Sequence, residues 1–146
     1  YTNPVVRSTV GNRFGYWMNI RVLRYSDVVL MYAEAANEVG GTTNLTNARN
    51  ALNSVRLRAR NGVAGILPDV TAVNQISLRD AIRKERRVEL AMEHERFFDI
   101  VRWGIAQAAM GAAGKSNFSS SRDGLLPIPQ TQIDLSAGVL TQNPGY

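Results

Sequence analysis

Two carboxylates one helical turn apart, Glu85 and Glu89, are spaced as a pair able to do chemistry. Neighbouring carboxylates can divide the roles of general acid and general base, as in the cleavage of a glycosidic bond. They lie within residues 82–104, which read Ile-Arg-Lys-Glu-Arg-Arg-Val-Glu-Leu-Ala-Met-Glu-His-Glu-Arg-Phe-Phe-Asp-Ile-Val-Arg-Trp-Gly. On a helix advancing about 100° per residue, Leu78, Ile82, Glu85, Glu89, Met92 and Arg96 share one arc, so acids and an arginine occupy the stripe that should enter a core. Burying an unpartnered carboxylate costs several kcal/mol, so the pattern predicts ion pairs rather than catalysis. Glu85, Arg86, Glu89, Glu93, Arg96, Asp99 and Arg102 are therefore read as a structural ion-pair network, and no catalytic residue is assigned.

The chain has 146 residues, 45% of them hydrophobic, enough for one domain with a sizeable core. With no cysteine and one histidine, His94, it offers neither a disulfide framework nor the donors of a typical metal site, and no cofactor is expected. His94 is read as a surface or helix-end residue. The net charge of +5 comes from fifteen arginines and two lysines against twelve acids. Most arginines share helical segments with Glu instead of forming a basic run with interleaved aromatics, which argues against nucleic acid. No apolar run of about eighteen residues is present, so no membrane-spanning helix is predicted. The opening Tyr-Thr-Asn-Pro has no features of a signal peptide, which leaves a cytosolic protein, a processed one or a piece of a longer one.

The elements that must position these residues are mostly helical. Residues 1–22, rich in Thr, Asn, Gly and aromatics, lack a helical period and are expected to form an extended or hairpin arm. From Ser26, Tyr25, Val28, Val29, Tyr32, Ala35, Ala36 and Val39 suggest one face of a helix ending at Gly40-Gly41, and its alanines would let a neighbouring helix approach closely. Residues 46–60 carry a second stripe, Ala48, Ala51, Leu52, Val55 and Ala59, stopped by Asn61-Gly62. A third helix should start near Ser77 as N-cap, with Asp80 completing an approximate capping box. A fourth stretch runs from Arg96 to Met110, with Gly104 able to kink it. Phe97 or Phe98 and Trp103 are assigned to its core, as are Tyr25 and Tyr32 on the first helix. Residues 111–124 read as a loop whose Gly-Lys-Ser lacks the earlier glycine of a phosphate-binding loop. The proline-punctuated tail from Leu125 reads as an extended strap.

Four blocks stand in order: Arg24-Tyr25-Ser26-Asp27-Val28-Val29-Leu30-Met31-Tyr32-Ala33-Glu34-Ala35; Leu52-Asn53-Ser54-Val55-Arg56-Leu57-Arg58-Ala59; the charge-threaded segment; and Leu126-Pro127-Ile128-Pro129-Gln130 with Gln142-Asn143-Pro144-Gly145-Tyr146. Over residues 20–146 the chain closely resembles the C-terminal region of the SusD/RagB family of outer-membrane nutrient-binding lipoproteins. One departure is His94, where the family often has glycine. The resemblance implies a mostly α fold, a tetratricopeptide-like helical hairpin plus further helices, with an irregular N-terminal arm and a C-terminal strap. It implies that residues 1–146 form a single domain, the C-terminal portion of a SusD-like protein whose N-terminal repeat region and lipoprotein signal are absent from this sequence. The expected function is non-enzymatic binding of oligosaccharides, or of peptides in some members, at the surface of Bacteroidetes-type bacteria. The expected partner is a SusC-like TonB-dependent transporter, with the membrane held only through a lipid anchor. The alternatives are a purely structural or protein-interaction module and a glycosidase using Glu85 and Glu89.

Glycan capture pairs aromatic faces with hydrogen-bonding Asn, Asp and Arg side chains. By type, the candidates are Tyr16, Trp17 and Asn19 in the arm, and Asn117, Phe118 and Arg122 in the loop. In the family much of the glycan contact comes from segments preceding this region.

Overall fold

The computed structural model describes residues 22–146, and the arm, with Tyr16, Trp17 and Asn19, lies outside them. The described residues form helices joined by irregular segments, without a strand. Packing divides the described residues into two compact units, a first that ends at Arg83 and a second from Lys84 to Tyr146.

In the first unit, α1 (Tyr25–Val39) and α2 (Thr42–Arg60) form the expected hairpin. Gly40 and Gly41 turn the chain with φ of 75° and 81°, a pair of positive-φ conformations that residues with a Cβ adopt poorly. The helix α3 (Gln75–Glu89) begins in this unit. Leu30, Ala33, Ala36, Ala48, Leu52, Val55, Leu78 and Ile82 make one buried cluster. The α2 stripe is therefore as expected at Ala48, Leu52 and Val55, while of the expected α1 face only Ala36 is buried. Tyr25 is 83% and Tyr32 53% exposed, and Val28 and Val39 are exposed with them. The buried positions are Ser26, Asp27, Leu30, Ala33, Ala36 and Asn37, which follow a helical spacing. α1 carries two apolar stripes, and the inward one holds the small alanines that permit a close helix approach.

The connection after α2 lies along that helix, held by one row of its side chains. Arg49 donates to the Ala72 carbonyl at 3.4 Å, and Arg56 donates twice to that of Pro68, at 3.1 and 2.9 Å. Asn53 exchanges two hydrogen bonds with the Val70 backbone, 3.0 Å to its carbonyl and 2.8 Å from its N–H, and Arg60 pairs with Asp69. Extended backbone beside a helix has no ladder of its own, so these side chains supply its partners. The α3 N-cap is Asn74 rather than Ser77, because the Asn74 Oδ1 accepts from the Ser77 N–H at 2.9 Å. Asn37 donates to the Gln75 carbonyl at 3.1 Å and Gln75 donates back to that of Asn37 at 2.7 Å. Glu38 and Arg79 pair through both oxygens at 2.6 Å, and that guanidinium holds the Glu38 carboxyl below its usual range.

In the second unit, α3 ends at Glu89 and the helical stretch expected from 96 to 110 is two helices, α4 (Arg96–Arg102) and α5 (Ala106–Ala112). Gly104, at φ 67°, breaks the helix rather than kinking it. Ile100, Ala106 and Phe118 form a small core with Phe97 against it. Phe98 is exposed and Trp103 half-buried, with the Arg102 guanidinium 4.9 Å from the Trp103 ring centroid. The segment expected to be a loop contains the short helix α6 (Ser120–Asp123), and the strap contains α7 (Gln130–Leu135). The strap's ends meet: Gln142 exchanges two hydrogen bonds with the Ile128 backbone at 2.8 and 2.9 Å, and Asn143 donates to the Leu126 carbonyl at 2.6 Å.

The ion-pair network centres on Asp99. It accepts from Arg86 Nε at 3.0 Å and from Arg102 at 3.0 and 2.8 Å, with Asp99 and Arg86 each 3% exposed. Glu85 is buried and Glu89 and Glu93 half-buried, each engaged in interactions of its own. Arg96 is half-buried, and burial followed by the neighbouring Arg87 charge holds its guanidinium below the usual range.

Two stability effects are expected. Asp99→Ala removes a buried carboxylate paired with both Arg86 and Arg102 and should lower the unfolding free energy by about 3 kcal/mol; an unchanged urea midpoint would contradict the pairing. His94 sits at φ 69°, a left-handed conformation that suits glycine. His94→Gly should therefore raise stability by about 1 kcal/mol, and a lowered melting temperature would refute that strain.

Candidate functional site

Asn117, Phe118 and Arg122 do come together, but chiefly to build the second unit. Phe118 is 9% exposed and meets Phe97 edge-on at 6.4 Å between centroids, so its ring serves the core instead of offering a face for stacking. Gln107 clamps the segment on either side, donating to the Phe118 carbonyl at 2.8 Å and accepting from the Ser120 N–H at 3.0 Å. Arg122 grips Asp123 at 2.7 and 2.9 Å and donates to the Asn117 carbonyl at 3.1 Å. That grip, with the Ser119 N–H, lowers the Asp123 pKa to about 2, so Arg122 keeps an ionised partner at any ordinary pH. The stem of Arg122 lies over Gly145, where an added Cβ would sit 2.6 Å from its Cγ. The Asn117 side chain is exposed.

A larger concavity opens in the first unit between α1 and α2. It has a volume of about 560 Å³ and is lined by Arg24, Tyr25 and Ser26 where α1 begins, Val29 one turn on, and Ser54, Val55 and Arg58 from α2. Val29 and Val55 give it an apolar floor. Its two arginines come from different elements. Ser54 and Arg58 share a face of α2 through their i, i+4 spacing, while the chain entering α1 brings Arg24 and Tyr25 to the other side. The Ser54 hydroxyl donates to the Ala51 carbonyl at 2.7 Å, which leaves its lone pairs facing outward. Ser26 is 7% exposed and its hydroxyl has no hydrogen-bond partner among the described residues, an omission that ordinarily costs about 1–3 kcal/mol. No acidic side chain is among these lining residues.

The sequence reading missed this cleft. It placed Tyr25 in the core, whereas the ring is 83% exposed. The available signal was the Ser54/Arg58 spacing on the α2 surface. Among the described residues, no cluster of His, Asp or Glu could hold a metal ion, and no helix is long and apolar enough to cross a membrane.

The sequence matches the SusD family model over residues 6–146. A SusD-like protein of Formosa agariphila is 35% identical over 129 residues, which cover 85% of this chain and 25% of the relative. Among solved structures, a SusD homologue from Bacteroides thetaiotaomicron aligns with a TM-score of 0.71 at 34% identity, over 85% of this chain and 26% of its own. A laminarin-binding SusD-like protein aligns with a TM-score of 0.63 at 39% identity, over 86% of this chain and 23% of its own. The chain thus spans about a quarter of the length of these relatives. The four ordered blocks, the helical hairpin and the laced C-terminal strap agree with these likenesses, and the chain belongs to the SusD family.

Proposed function

We propose that this chain is part of a cell-surface protein that binds oligosaccharides and passes them, chemically unchanged, to a SusC-like TonB-dependent transporter. In the full-length protein a lipid anchor would hold it to the outer membrane. The observation that carries the reading is the likeness, across most of this chain, to a SusD-like protein that binds laminarin. The Glu85/Glu89 alternative is disfavoured by burial, since Glu85 lies inside the fold and a hydrolytic acid must reach the glycosidic oxygen.

A second reading, a structural module that buttresses other parts of the protein, is favoured by the outward apolar stripe of α1, where Tyr32, Val28 and Val39 lie exposed. A glycan array separates the two. Binding by this chain supports the first reading, whereas binding confined to the full-length protein supports the second. Bound oligosaccharide should release no reducing ends, and Glu85→Gln should not change that result. Sugar release abolished by Glu85→Gln would instead establish hydrolysis.

A further inference from the structure

We propose that Asn61-Gly62, the exposed turn where α2 hands the chain to its laced connection, is a site of spontaneous modification that converts Asn61 to aspartate and isoaspartate. Asn-Gly stands once in the sequence. Asn61 caps α2 at φ 46° and ψ 42°, Gly62 follows at φ 80°, and the Val63 N–H closes the turn on the Arg60 carbonyl at 2.9 Å. Two successive positive-φ residues make the mirror-image turn that Asn-Gly favours.

Both reacting groups are free. Among the described residues neither the Asn61 carboxamide nor the Gly62 N–H has a hydrogen-bond partner, although the Asn61 N–H is bonded to Arg58 and the Val63 N–H to Arg60. Glycine has no Cβ to hinder its nitrogen, and the space beside Gly62 is open to 4 Å. That nitrogen attacks Asn61 Cγ, closing a succinimide ring as the Cγ–Nδ2 bond breaks, and ammonia leaves with the proton that the amide gives up. Water then opens the ring. Cleavage at Cγ returns aspartate, whereas cleavage at the main-chain carbonyl leaves the chain running through Cγ as isoaspartate. Attack requires rotation about the Asn61 ψ, which the Arg60–Val63 hydrogen bond opposes, and exposed turns open locally at low free-energy cost.

Asp123-Gly124, which could cyclise in the same way, is closed to it. Arg122 and the Ser119 N–H hold its carboxylate and keep it ionised, a poor target for a nitrogen nucleophile. At residue 61 either product removes one unit of the +5 net charge and sets a carboxylate at the negative end of the α2 dipole. Isoaspartate also lengthens the main chain just before the stretch that Arg56 and Arg60 tie down.

Ageing the 146-residue chain at neutral to mildly alkaline pH, with peptide mapping by mass spectrometry, tests the site. The peptide holding Asn61 should gain the mass that separates aspartate from asparagine, faster as pH rises, and split into aspartate and isoaspartate forms. Asn117, exposed but followed by Phe118, should convert at least roughly tenfold more slowly, since a side chain hinders the attacking nitrogen. Gly62→Ala should slow conversion at residue 61 for the same reason. A folded chain that converts within roughly tenfold of the rate in urea supports the freely opening turn, and a slower one overturns it. Conversion at Asn117 as fast as at Asn61 also overturns the proposal.

Discussion

Irregular backbone laid against a helix must have its N–H and C=O groups satisfied, and in this chain side chains meet that requirement. Three segments outside the helices depend on it. Residues 68–72 are held by Arg49, Asn53, Arg56 and Arg60 along α2; the turn around Phe118 by Gln107; and the C-terminal strap by Gln142 and Asn143. Asn and Gln recur because a carboxamide can donate to a carbonyl and accept from an N–H at once, reproducing one rung of a sheet. On α2 the row holding the connection occupies one flank and the residues of the α1/α2 cleft occupy another.

The two units rest on different kinds of interior. The first closes on aliphatic side chains, Leu30, Leu52, Leu78 and Ile82, around small alanines. The second has a smaller apolar cluster and, in Arg86 and Asp99, a nearly dry ion pair. α3 contributes to both. Its first turns give Leu78 and Ile82 to the apolar cluster, and its last turns give Glu85 and Arg86 to the charged one. This is why one apolar stripe gains acids and arginines partway along its length. A buried pair of this kind adds little net stability compared with apolar packing, but it penalises any arrangement that separates the partners.

Much of this was legible in the sequence, and what was not has physical causes. The α2 stripe and its stop at Asn61-Gly62 were readable because one face is apolar and the terminator is strong. The charge-threaded segment announced buried pairing, and Asp99 with Arg86 and Arg102 provides it. The buried face of α1 was misread because two apolar stripes run along one helix, and periodicity does not say which packs. Breaks at Gly104 and beside His94 divided what hydrophobic pattern joined. Asn74 capped α3 because a cap depends on where the chain enters the helix, and the Val70–Asn53 exchange sets that entry. The cleft was hidden since its walls lie some thirty residues apart in sequence, and Phe118, chosen for its ring, proved to be a core residue.

The reliance on arginine for reaching carbonyls has a practical side. The two lysines of the chain, Lys84 and Lys115, are both exposed and belong neither to the lacing of the connections nor to the cleft. Amine-directed coupling to a sensor chip or a fluorophore therefore attaches away from the groups that hold the fold and line the cleft. Dicarbonyl reagents, which consume guanidiniums, would attack the ties of residues 68–72 and the walls of the cleft together.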